Sequence, residues 1–171
     1  PEDIAVPSSN AALAAALGLD ESEIGFEAHH PSVLSAGVGF TFVPVPGLDA
    51  IGRIKVDLSC WDAAMKPADH PNAFIYCRQT AQTGPPPPAP LLSPGARPAE
   101  DPPPGGAVAD IAGAIMRFDK PGDGEHRFTV EQGYEMGRPS QITLELTVAG
   151  GALVSARIGG SAVVISEGVL L

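Results

Sequence analysis

Apolar residues recur along the chain in two rhythms, one of three to four residues and one of two. Ser9 or Asn10 is placed to cap a short helix with Leu13 and Leu17 on one face, and Gly18 supplies its stop. Ile24–His30 and Gly39–Val45 read as strands, the second dense in Phe40, Phe42, Val43 and Val45, with Ser35-Ala36-Gly37 as a small-residue turn between them. Asp57–Lys66 spaces Leu58, Trp61, Ala64 and Met65 helically before Pro67 ends the run, and Ala73–Arg78 reads as another strand. The strongest helical pattern is Ala107–Phe118, where Val108, Ile111, Ala112 and Ile115 follow the i, i+3, i+4, i+7 rule. Its other faces carry Ala109, Gly113 and Ala114, with only Asp110 charged before Arg117. A helix apolar on nearly every side is one enclosed by protein. The last third alternates: Ile142, Leu144, Leu146 and Val148 interleave with Gln141, Thr143, Glu145 and Thr147. Gly150-Gly151 is a hairpin turn into Leu153–Ile158, and Gly159-Gly160 reads as a second turn into Ser161–Ile165. Together these patterns predict an α+β fold, a curved and mostly antiparallel sheet wrapped around the Ala107–Phe118 helix.

The chain has 171 residues and a mass of 17.4 kDa, enough for one domain with its own core or two very small ones. Ten Lys and Arg against 20 Asp and Glu give a net charge of −10, which repels phosphate backbones and argues against nucleic acid as a partner. No apolar run approaches the roughly 20 residues a membrane span requires. Cys60 and Cys77 are too few for a disulfide framework and match no zinc spacing. With no leader-like segment, a reduced cytoplasmic protein is expected. The chain opens Pro1-Glu2-Asp3 rather than with Met, which points to a processed or longer protein.

Proline changes this picture locally. Ten of the 19 prolines fall between Pro85 and Pro104, a stretch that cannot form a helix or a central strand. By composition it is a stiff, extended spacer between residues 1–84 and 105–171.

The candidate chemistry lies where that stretch meets the helix. Glu100-Asp101-Pro102 leads through Gly105-Gly106 into Ala107. A helix N-terminus carries unsatisfied N–H groups and partial positive charge, and glycines let a ligand approach the backbone. A carboxylate or phosphate would be held there without a cationic side chain. Asp101 would orient an amine or act as an acid, or serve only as a cap. His29 and His30 are adjacent and would point to opposite faces of a strand, so they cannot share a metal. His70 and His126 have loop-like neighbours, and a Cys60, His70, Cys77 set matches no ligand spacing, so no metal site is expected. Gly37-Val38-Gly39 lacks the setting of a nucleotide fingerprint and reads as a turn, and Arg138 is an anion-binding candidate of lesser weight.

The ordered set Gln132-Gly133-Tyr134-Glu135-Met136-Gly137-Arg138-Pro139-Ser140 and Ile158-Gly159-Gly160-Ser161-Ala162-Val163 resembles the C-terminal end of the phenazine-biosynthesis PhzF-like family. Ser93-Pro94-Gly95, Glu100-Asp101-Pro102 and the Gly105 helix start resemble that family's Asp-Pro-Ala-Thr-Gly-Ser-Ala segment, and Pro31–Val45 also fits. The resemblance implies a diaminopimelate epimerase-like fold, in which two similar halves each wrap a sheet around a helix and the active site lies between them. It implies a cofactor-independent isomerase or epimerase, acting by a proton shift on a small carboxylate-bearing metabolite. This chain matches the C-terminal half over 1–171, so the family's glutamate base has no counterpart in it. Asp101 would position substrate, the Gly105 and Gly106 N–H groups would hold an anionic oxygen, and Gly37 would admit close backbone approach. The implied partners are the small carboxylate substrate and either a second copy or an N-terminal half. Prolines stand where the family has threonine, and Gly106 where it has serine, so those hydroxyls are missing. The alternative is a non-catalytic domain that binds a small anion or dimerises.

Overall fold

In a computed structural model, residues 1–5, 7–66, 72–79, 105–133 and 139–161 are described. The element order is β1 (Glu2–Ala5), α1 (Asn10–Leu17), β2 (Ser32–Ser35), β3 (Gly39–Pro44), α2 (Leu48–Arg53), α3 (Leu58–Met65), β4 (Ala73–Tyr76), α4 (Gly105–Ala114), β5 (Gly124–Gln132), β6 (Ser140–Ala149) and β7 (Ala152–Gly160). The strands form two sheets, ordered β1-β2-β3-β4 and β5-β6-β7.

The second sheet is the antiparallel meander the alternation predicts, extended by β5. Phe128 faces Leu144 and Val130 faces Ile142 across β5 and β6. Gly150 and Gly151 take φ of 60° and 73°, the left-handed pair a two-residue hairpin demands. The Asp123 carboxylate accepts both of their N–H groups at 2.9 Å, which holds it below the usual carboxylate range. The first sheet is mixed rather than antiparallel throughout: β1, β2 and β3 alternate in direction, but β4 runs parallel to β3. The β3–β4 connection passes through α2 and α3, the crossover a parallel pair requires. Every residue of β3 is buried, so it reads as a continuous apolar run.

Helix α4 touches β2 and β3 of one sheet and β6 and β7 of the other. Ala107, Val108, Ile111, Ala112, Ala114 and Ile115 are all fully buried, as expected of an enclosed helix. Gly113 permits the close approach to β2, since a Cβ there would stand 3.3 Å from Leu34 Cδ1 and 3.0 Å from Pro1 Cβ. The helix starts two residues earlier than the apolar period indicates, at Gly105, and its last turn, Ile115–Asp119, is a π turn closed by Lys120 N–H on the Ile115 carbonyl at 3.2 Å.

Two expected elements differ. Ile24–His30 is no strand: a 3₁₀ turn at Glu21–Glu23 leads into a tight loop. There Phe26 and His29 exchange backbone hydrogen bonds of 3.2 and 2.8 Å. Gly25 (φ 115°) and Glu27 (φ 48°) hold conformations incompatible with an extended run. His29 and His30 therefore lie in a turn, one buried and one exposed. Gly159 and Gly160 do not turn; they pair with Thr143 and Ile142 as the end of β7. Residues 162–165 lie outside the described residues, as does the proline-rich stretch through Pro104. The α1 helix matches its expectation, with the Ser9 hydroxyl accepting the Ala12 N–H at 3.2 Å and Gly18 left-handed at its end. So does α3, capped by Asp57.

Candidate functional site

Gly105 and Gly106 open α4, so their N–H groups, with those of Ala107 and Val108, lack intrahelical acceptors. A Cβ at Gly106 would meet nothing within 4 Å, so the glycine borders open space. Asp101 and Arg138 lie outside the described residues.

Gly37 sits in the turn after β2, at φ 136°, with its N–H on the Ser35 hydroxyl at 3.1 Å. A Cβ on Gly37 would also meet nothing within 4 Å. The residue that connects this turn to α4 is Asp110. Its side chain is 1% exposed, and neither carboxyl oxygen has a hydrogen-bond partner. Burial pushes its pKa up to about 6. The Ala36 N–H faces it and draws the pKa part of the way back, although no hydrogen bond of normal geometry is completed. Asp110 thus lies beside Ala36 of this turn, while nothing among the described residues brings Gly37 into contact with Gly105 or Gly106. Sequence reasoning noted Asp110 only as a lone charge. The available signal was its place four residues after Gly106, which puts both on one helix face.

A second polar cluster lies at the other end of α4, about 20 Å away at 1.5 Å per residue. Tyr76 O–H lies 2.8 Å from His29 Nδ1, and Asp119 Oδ1 lies 3.0 Å from His29 Nε2. Arg78 pairs with Asp119, approaches His29 Nε2 at 3.1 Å and reaches Glu27 at 3.1 Å. Assigning the His29 proton to Nε2 lets Tyr76 donate to Nδ1 and the imidazole donate to Asp119. Phe26 stacks on the imidazole at 4.6 Å, and Phe118 packs at 4.9 Å. Burial opposes ionisation of Asp119, but His29 and Arg78 overcome it and hold the carboxyl below the usual range. Burial and the Asp119 charge together push the Tyr76 hydroxyl far up. This network is internally engaged and joins three remote segments.

Among the described residues no group of three or more His, Cys, Asp or Glu is placed to hold a metal ion. Cys60 and Cys77 are not joined to each other in a disulfide, and Cys77 is buried. No helix among the described residues is long and apolar enough to cross a membrane.

The two sheets with α4 between them define an α+β fold of the diaminopimelate epimerase-like type. The crystal structure of the Bacillus anthracis phenazine biosynthesis protein of the PhzF family superposes with a TM-score of 0.67 at 22% identity, over 91% of this chain and 56% of that one. The family model for phenazine biosynthesis-like protein matches residues 1–168, and the chain belongs to that family. It is 46% identical over 174 residues to a Mesorhizobium japonicum protein described as the uncharacterized isomerase mll1393. That match takes in 99% of this chain and 57% of the relative, so the chain spans little more than half the length of the curated protein it resembles.

Proposed function

We propose that this chain is the C-terminal, substrate-holding half of a cofactor-independent PhzF-like isomerase. The reaction is a proton shift on a small carboxylate-bearing metabolite. The observation that carries the reading is the start of α4. N–H groups at Gly105 and Gly106 without intrahelical acceptors open a largely buried helix, and Gly106 borders open space, in a chain 46% identical to a protein named an isomerase. An anionic oxygen of the substrate, and the charge that develops on it as a neighbouring carbon loses its proton, is held by those N–H groups and the helix dipole. Asp101, four residues before the helix, orients the substrate, and Gly37 admits close backbone approach. The base comes from outside residues 1–171, from an N-terminal half or another chain, which makes the active unit a pair. The positioning half alone supplies orientation without proton transfer.

The test is solvent deuterium incorporation. A dihydro-hydroxyanthranilate and a panel of amino- and hydroxy-carboxylates are incubated in D2O with the 171-residue chain, then with this chain plus the portion of the Mesorhizobium relative it does not cover. No exchange is expected from the chain alone and carbon-bound deuterium from the pair. Binding of the carboxylates without exchange in either case would replace this reading by that of a non-catalytic anion-binding domain.

A further inference from the structure

We propose that the free edge of β7 is a docking strand, along which an extended segment of the second half pairs. This deepens the reading above and rests on it for the existence of that half. Sheet edges in natural proteins are kept short, charged or covered, because their unpaired N–H and C=O groups are a template for any extended chain. Three of the four sheet edges here obey that rule. β1 has four residues and carries Glu2 and Asp3, β5 carries Glu125, Arg127 and Glu131, and β4 is largely buried. β7 does not obey it. It has nine residues, no proline and a single charge, Arg157, and it is exposed over most of its length. Its one irregularity is the extra residue Val154, which leaves Ser155–Gly160 in regular register with β6.

The core itself runs out at this edge. Phe128, Leu144 and Ile158 stand opposite one another across β5, β6 and β7, so they share one face of the sheet. Along that row the exposure is 7%, 0% and then 43%. Ala156, opposite buried Leu146, is exposed in the same way. Beside the strand lies a groove of about 750 Å3 whose lining includes Leu153 of β7, Asp3 of β1, Leu34 of β2, and Gly113 and Met116 of α4. A strand residue takes up roughly 3.3 by 4.8 by 10 Å, about 160 Å3, so about four to five of them fill that space. The occupant follows from length. The match takes in 57% of the Mesorhizobium relative and 56% of the Bacillus structure, so each has more than two fifths of its chain to place around this half. A segment of that remainder, added as a strand, covers Ile158 and satisfies the outward N–H and C=O groups of β7.

Residue-resolved amide hydrogen exchange tests this on two intact proteins, the 171-residue chain and the full-length Mesorhizobium relative. In an antiparallel edge strand alternate N–H groups point to the neighbouring strand and away from it. In this chain one alternating set over Ser155–Gly160 is expected to be protected by β6 and the other to exchange freely. In the aligned segment of the relative both sets are expected to be slow, the outward one roughly a hundredfold slower than here. Outward amides that exchange as fast in the relative as in this chain overturn the proposal. An outward set already slow in this chain at every dilution overturns it too, because the chain then covers its own edge. One that is slow only in concentrated solution replaces the second half by a second copy as the occupant. The isomerase reading fails separately, in the substrate deuterium incorporation: a relative that seals β7 yet exchanges no substrate keeps the docking strand and loses the reaction.

Discussion

At the scale of single residues, Asp110 is the most consequential side chain on the central helix. Its folded pKa of about 6 stands above the ordinary aspartate value near 3.8. The folded state therefore binds the proton more tightly than the unfolded chain does, and stability falls as pH rises from about 4 through 6. Above that window the protein carries a buried, unpartnered carboxylate; below it the penalty is gone. Asp110→Asn is accordingly expected to raise stability by about 2 kcal/mol at pH 7.5 and by little at pH 4, read from urea unfolding at the two pH values. An equal effect at both would mean that burial of the charge is not what Asp110 costs. A lone acid on an otherwise apolar helix was visible in the sequence, but its burial was not. Periodicity assigns a residue to a face without saying that every face is covered. The start of α4 was legible to within two residues, because the apolar period shows only from Ala107 onward while glycine carries no period of its own. His29 was legible only as one of two adjacent histidines. Its partners Tyr76, Arg78 and Asp119 come from up to 90 residues away, and nothing local announces them.

At the scale of elements, legibility followed how far local signals acted alone. The α1 helix carried its own cap and stop in Ser9 and Gly18, and β6 its own alternation, so both were readable. Strand β5 was missed because Glu125, His126 and Arg127 fill its exposed start and leave only Phe128 and Val130 to show the period. The Ile24–His30 run has apolar content but is bent by Gly25 and Glu27, and Phe26 is spent on stacking against His29 rather than on a sheet face. The end of α4 holds a testable strain. Lys120 closes the π turn at φ 47°, a left-handed conformation that costs a side-chain-bearing residue about 1 kcal/mol. Lys120→Gly relieves this and gives part back in unfolded-chain entropy. A net gain of about 0.5 kcal/mol, or a rise of one to two degrees in Tm by calorimetry, is expected. A loss would show that the lysine side chain holds the turn rather than merely tolerating it.

At the scale of the whole molecule, the two ends of α4 are chemically unlike. One end carries N–H groups without intrahelical acceptors and a buried carboxyl; the other is fastened by Asp119 to the His29 loop and to Arg78 beyond β4. The fastening depends on ionised Asp119. Because its pKa is depressed in the folded state, the associated stability is present above the ordinary aspartate value and lost as pH falls through the lower, folded one. Asp119→Asn should cost roughly 2 kcal/mol at pH 7, and the deficit should shrink below pH 4 as the wild type loses the same charge. A deficit that persists unchanged in acid would assign the effect to shape rather than charge. None of this could be read from hydrophobic pattern, because it joins residues that are neighbours only after both sheets have closed on the helix.

The π turn at Ile115–Asp119 has a consequence for how the family's sequences line up. A helix that stayed α to its end would place each successive residue about 100° further round and would need one residue fewer to cover the same length. A relative shorter by one residue between Ile115 and Asp119 would close this turn as α and still bring its aspartate to the histidine, whereas one of equal length with an unbroken α end would turn the aspartate away. Single-residue gaps at this place in an alignment would therefore mark members that reach the same clasp through an α turn instead of a π turn.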